Sequence, residues 1–321
     1  MRNSATVDPC ALLRPVVGPP PRGIDPRVLR VTFVSAVLGV RKAFYVLLPV
    51  EYTAGEGTND RYATLYLLRG HEREWVNPTE DGSRQGTVVD ILLRLRASGA
   101  IGPLILVFPG VTSEDGRVHG VATDFRDRAL APNTPGLGTG RFETYLVREL
   151  IPLVDALFRT HPDRRRRGVD GFSLGGLMAA KLALKHPNLF ASAGAYDGTF
   201  LYADTDGTGV RGDDKVYKAG FLNPVFGVPR DGAYAAANNP ANLIINGSDA
   251  IRTTRWLLQY GPKRLEPLGS NYDRGAYLRA LLAAHGADVD LPPVIAVGAH
   301  NWATADRHME LTLPLHWDTL R

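Results

Sequence analysis

Residues 171–176 read Gly171-Phe172-Ser173-Leu174-Gly175-Gly176. The run follows Arg167 to Asp170, which reads as the end of a strand. It opens Leu174 to His186, which reads as a helix stopped by Pro187. A serine at a strand-to-helix junction, with glycine two before and two after it, is the pattern of a nucleophile elbow. The turn is tight, so the serine takes a strained backbone and its second neighbours must be small. The competing reading is a plain glycine-rich turn. The position between strand and helix favours Ser173 as the nucleophile of a serine hydrolase.

Such a nucleophile needs a base and an acid, which follow it in the order Ser, Asp/Glu, His. Pro293 to Val297 reads as a short last strand, Gly298 to Trp302 as a loop, and Thr304 onward as helix. His300 on that loop is the expected general base, able to reach over the nucleophile and take its proton. The alternative is a loop histidine that merely caps the last helix. His161, His186 and His285 read as helix-end residues, where the dipole suits them. His308 and His316 read as surface or packing residues, and His119 as exposed in a polar loop.

For the acid, Leu243 to Asn246 reads as a strand with Gly247-Ser248-Asp249 at its carboxyl end, where catalytic groups gather in open α/β sheets. Asp249 is therefore the first choice to orient the imidazole, against a role as N-cap of the segment that follows. Glu266 stands in reserve. Asp197, after the strand-like Ala191 to Ala195, is third.

An oxyanion hole needs two backbone N–H groups. Leu174 supplies one by following the nucleophile. The second is expected from His71, because Thr64 to Leu68 reads as a strand and Arg69-Gly70-His71 follows it directly. The His71 side chain either lines the acyl site or faces solvent.

Four features then resemble the esterase D branch of the α/β-hydrolases. That branch includes S-formylglutathione hydrolases, feruloyl and acetylxylan esterases, enterochelin esterases and mycolyltransferases. The first feature is an N-terminal hairpin, Val31 to Ser35 and Ala43 to Pro49. The second is Tyr66-Leu67-Leu68-Arg69-Gly70 with Trp75. The third is Phe142-Glu143-Thr144-Tyr145 leading to Glu149-Leu150-Ile151-Pro152. The fourth is the elbow with His300-Asn301-Trp302. The likeness spans roughly residues 28 to 317. It implies an α/β fold with a mostly parallel central sheet, helices on both faces and an antiparallel N-terminal hairpin. Two departures bear on substrate rather than reaction: Arg69 stands where the family usually has histidine or aspartate, and Tyr196 to Asn239 has no obvious counterpart.

The bulk properties accord with one catalytic domain, residues 28–321, preceded by an extended arm, residues 1–27, rich in Pro and Arg. At 321 residues, 44% hydrophobic and 22% charged, the chain has the composition of a globular protein with a large core. No apolar run approaches membrane-span length, and no signal-peptide core is visible, so the sequence reads as cytoplasmic, or as secreted with its signal removed. Cys10 is the lone cysteine, which excludes an internal disulfide. The net charge of +4 rests on 31 arginines and six lysines. The one dense cluster, Arg164 to Arg167, reads as a solvated charge run rather than a nucleic-acid contact.

Neither a P-loop, an H-E-x-x-H motif nor a cysteine pair is present, so no cofactor and no metal are expected. Asp204 to Asp214 lacks the glutamate of a calcium loop. Specificity is expected from the loops Gly110 to Gly140 and 196–240, the second read as a lid or aromatic platform. Arg69, Trp75, Phe125, Asp197 and Trp302 are the substrate-binding candidates. The sequence thus implies a serine carboxylic ester hydrolase acting on a small-molecule or carbohydrate-linked ester. An acyltransferase with the same triad is the alternative, and a non-catalytic binding protein on the same scaffold is a third reading.

Overall fold

The computed structural model describes residues 13–54, 59–289 and 291–321. Cys10 and the rest of residues 1–12 of the N-terminal arm therefore lie outside the described residues. Eight strands form one sheet in the order β1-β2-β3-β5-β4-β6-β7-β8. They are β1 (Val16–Gly18), β2 (Val28–Val34), β3 (Arg41–Leu47), β4 (Ala63–Leu68), β5 (Leu104–Pro109), β6 (Arg167–Gly171), β7 (Ser192–Tyr196) and β8 (Arg255–Gln259). Strands β1 to β3 run antiparallel, and β3 joins β5 antiparallel. From β5 through β4, β6, β7 to β8 every pairing is parallel. The expected hairpin is present, and the described end of the arm adds β1 to its edge instead of hanging loose.

The central strands β4 and β5 are buried along their whole length, as a sheet covered on both faces requires. One face is covered by α1 (Val88–Ala97) and the C-terminal helix α4 (Trp302–Leu320), through Val88, Ile91, Met309 and Leu313. The other carries the helical run from Phe142 to Leu157, α2 (Leu174–Lys185) and α3 (Tyr272–Ala284). Every residue of α2 from Leu174 to Leu184 is buried, the signature of a helix enclosed by protein rather than lying on its surface. Lys181 is one of them, and Glu143 meets its ammonium at 3.0 Å. Glu149, from the same sequence feature, accepts from the Ala36 and Val37 amides and clamps the β2–β3 hairpin. Both carboxylates of that feature are thus structural.

Strand β4 hands its chain through α1 to β5 on one side, while β6 hands its chain through α2 to β7 on the other. The connections part above the carboxyl ends of β4 and β6, which opens a crevice there. No helix among the described residues is long and apolar enough to cross a membrane.

Two local expectations fail. Residues 240–245 are helical (Pro240–Ile245), with Pro240 in the first turn. The strand that follows β7 is β8, some ten residues further on. Pro293 to Val297 forms only a single bridge, Tyr260 with Val294, in place of a strand.

Candidate active site

Ser173 has φ 59° and ψ −118°, a left-handed conformation that a residue with a side chain adopts at a cost. The flanking glycines make it possible. A Cβ on Gly171 would stand 2.3 Å from the Gly175 carbonyl, and one on Gly175 would stand 1.9 Å from the Leu68 oxygen. Strand, turn and helix pass too closely for any side chain. Ser173 is thereby held at the crevice, the residue only 6% exposed.

His300 Nε2 lies 3.0 Å from Ser173 Oγ, and His300 Nδ1 lies 2.6 Å from Asp197 Oδ2. The His300 amide donates to the Gly269 carbonyl, and its ring packs 4.8 Å from Phe172. Asp197 follows β7 directly, with φ 48° and a fully buried side chain. Its Oδ1 accepts from the Gly261 amide at 3.0 Å and the Asn271 amide at 2.9 Å. These donors fix the carboxylate beside the imidazole.

The carboxylate that meets His300 is therefore Asp197, and not the first choice, Asp249. Because residues 240–245 are helical, Asp249 precedes β8 instead of ending a strand. That puts it at the amino edge of the sheet, opposite Ser173, where it is exposed and leads into the turn Ala250–Thr253. Glu266 binds Lys263 and the Asp273 amide and has no contact with His300.

Leu174 begins α2, and among the described residues nothing accepts from its N–H, as befits the first turn of a helix. The His71 N–H is not free as expected. Glu74 folds back over the tight turn from Arg69 to Trp75 and accepts from it at 2.6 Å. Burial raises the Glu74 carboxyl, opposed by Arg69 and by the His71 hydrogen bond. The loop nonetheless lies against the elbow, since a Cβ on Gly175 would stand 2.9 Å from Arg69 Cα.

The other candidates divide. The Arg69 guanidinium lies 5.3 Å from the Phe172 ring centre, beside the nucleophile. Trp75 is 1% exposed and donates to the Leu68 carbonyl, and Trp302 is 5% exposed. The two indoles meet edge to face beneath Phe172 and form packing, not a binding surface. Phe125 packs at a tilt against Phe142 and lines a separate hollow with Arg126, Asp231 and Tyr234. Phe200, Tyr217 and Phe226 are buried, so they anchor the 196–240 segment to the body. Phe221 remains partly exposed, edge-on to His119. Thr199 was not anticipated, yet its Oγ1 stands 3.4 Å from Ser173 Oγ. A hollow of about 260 Å³ opens beside the loop, lined by His71, Glu74, Glu80, Glu114, Asp115 and His119 among others.

A mostly parallel sheet carrying this elbow and this histidine loop defines an α/β-hydrolase. A family model described as "Putative esterase" matches residues 35–261, and the chain belongs to that esterase family. It is 30% identical, over 175 residues, to an endo-1,4-beta-xylanase/feruloyl esterase of Xylanibacter ruminicola. That match takes in 53% of this chain and 21% of the relative, so the chain spans about a fifth of the relative's length. Among solved structures, a ferulic acid esterase superposes with TM-score 0.67 at 19% identity, over 91% of this chain and 98% of the other. An S-formylglutathione hydrolase from Agrobacterium tumefaciens gives TM-score 0.63 at 19% identity, over 92% and 96%.

Proposed function

We propose that this protein hydrolyses carboxylic esters through an acyl-serine intermediate, with residues 28–321 acting as one catalytic unit. One observation carries the reading: an unbroken relay in which His300 Nε2 stands 3.0 Å from Ser173 Oγ and His300 Nδ1 stands 2.6 Å from Asp197 Oδ2. His300 takes the Ser173 proton as Oγ attacks the ester carbonyl, then returns it to the departing alkoxide. Asp197 keeps the tautomer that leaves Nε2 free to accept, and it stabilises the imidazolium that forms. Water then enters and gives its proton to His300 as it attacks the acyl carbonyl. His300 passes that proton to the departing Ser173 Oγ, which releases the acid and restores the enzyme.

The Leu174 amide is the standing donor for the oxyanion. The His71 amide becomes the second when Glu74 yields it to the developing charge. Relatives whose names include feruloyl esterase support an ester of an aromatic acid, free or carbohydrate-linked, as substrate. The test is a panel of p-nitrophenyl esters of rising chain length with methyl ferulate, run on the wild type and on Ser173→Ala. Turnover that disappears in the variant supports the reading. A wild type inert to every ester refutes it.

A further inference from the structure

Helix α4 begins two residues after His300, so whatever fixes α4 along the sheet also fixes the base. Apolar packing against α1 is non-directional and cannot do this alone. Directional contacts come from the Arg84–Asp306 pair at 2.7 Å, from Asp81 accepting the Trp302 amide, and from a buried network around Asp170. Asp170 in β6 lies three residues before Ser173 and is fully buried. Its carboxylate accepts from His308 Nε2 at 3.0 Å, His316 Nε2 at 3.0 Å and the Gly171 amide at 2.6 Å. The two histidines lie eight residues apart on α4 and are both fully buried, a spacing that keeps them on one face.

Their other ring nitrogens reach the neighbouring strands. His308 Nδ1 is 2.9 Å from Gln259 Oε1 in β8, and His316 Nδ1 is 2.7 Å from Ser192 Oγ in β7. The Gln259 amide is oriented by its own donation to the Pro292 carbonyl, so oxygen faces His308. His308 is thus held from both sides, between Asp170 and Gln259, and His316 between Asp170 and Ser192.

The chain continues to the base. The Tyr196 ring lies between Phe172, 5.6 Å away, and His308, 5.9 Å away, nearly parallel to both. Its hydroxyl donates to the Ala299 carbonyl at 2.7 Å, immediately before His300. Tyr196 also immediately precedes Asp197.

We propose that Asp170, His308 and Tyr196 form a buried positioning chain that holds His300 over Ser173, an inference that rests on the hydrolase reading above. None of the three touches Ser173 Oγ. They act through the register of α4 and the placement of the loop.

The test combines histidine NMR with kinetics on wild type, Tyr196→Phe and His308→Gln, with active sites titrated by a fluorophosphonate. Tyr196→Phe keeps the ring stack and removes only the Ala299 bond, so it folds even where His308→Gln does not. The proposal expects a shifted or broadened His300 Nδ1 proton in Tyr196→Phe, with kcat per titrated site down about tenfold to a hundredfold at unchanged KM. A merely structural role would lower thermal stability but leave kcat per titrated site and the His300 resonance as in wild type. That result overturns the proposal. If wild type does not label while its His300 resonance still responds to Tyr196→Phe, the hydrolase reading falls and the positioning chain stands.

Discussion

Asp197 Oδ2 stands 2.6 Å from His300 Nδ1, and the backbone amides of Gly261 and Asn271 hold the same carboxylate from the far side. Asp197 is thus anchored by β8 and by the start of α3, while His300 is anchored by Gly269 and α4. The geometry of acid and base is a property of the sheet and both helices together.

Replacing Asp197 with Asn keeps the volume but reverses the tautomer that the imidazole favours. Its kcat should fall by about 10⁴ with the fold intact. Asp249→Asn, at the opposite edge, should leave turnover unchanged. Steady-state kinetics on a p-nitrophenyl ester, with circular dichroism as the folding control, measures both. The reverse ranking would return the acid role to Asp249.

Gly175→Ala should be severely destabilising. Its Cβ would lie 1.9 Å from the Leu68 carbonyl oxygen, a backbone clash with no flexible side chain to absorb it, costing about 3 kcal/mol. Gly232→Ala serves as control, since a Cβ there meets nothing within 4 Å. Thermal melts should show a large drop in Tm for the first and a small change for the second.

Glu74→Ala should accelerate fluorophosphonate labelling severalfold. The variant removes the carboxylate that accepts from the His71 amide at 2.6 Å and leaves that donor open to the developing oxyanion. An unchanged labelling rate would place the second donor elsewhere.

The Asp170 carboxyl is raised by burial, but its interactions with His308 and His316 outweigh this and bring it down to about 2. A folded value below the unfolded one means stability that is fully present above about pH 4 and lost as pH falls through about 2. The loss is on the order of 2 kcal/mol. Urea unfolding of wild type and Asp170→Asn between pH 5 and 2 should show a shallower acid slope in the variant. Equal slopes would deny Asp170 this role.

What was legible in the sequence follows from how local each requirement is. The elbow declares itself because close strand–helix passage demands glycine at 171 and 175, a constraint written into five residues. His300 declares itself through its loop before a long C-terminal helix. Asp197 was harder, since its role depends on which run forms the next strand. Leu243-Ile244-Ile245 is apolar enough for either structure, and with Pro240 in the first turn it forms a helix. Arg255–Gln259, which opens on a charge, is the strand instead. His308 and His316 were read as surface or packing residues. Their spacing of eight on the apolar face of α4 was the available signal, but their partner Asp170 lies more than a hundred residues away in the chain. Glu74 is similar, because its reach back to the His71 amide depends on how tightly the loop before Trp75 turns.

The most direct test treats the purified protein with a fluorophosphonate and locates the adduct by mass spectrometry, with Ser173→Ala, His300→Ala and Asp197→Asn in parallel. An activated nucleophile predicts rapid modification of Ser173 in wild type, none in Ser173→Ala, and labelling slowed by orders of magnitude in the other two variants. A folded wild type left unmodified, or an adduct on another residue, would contradict it.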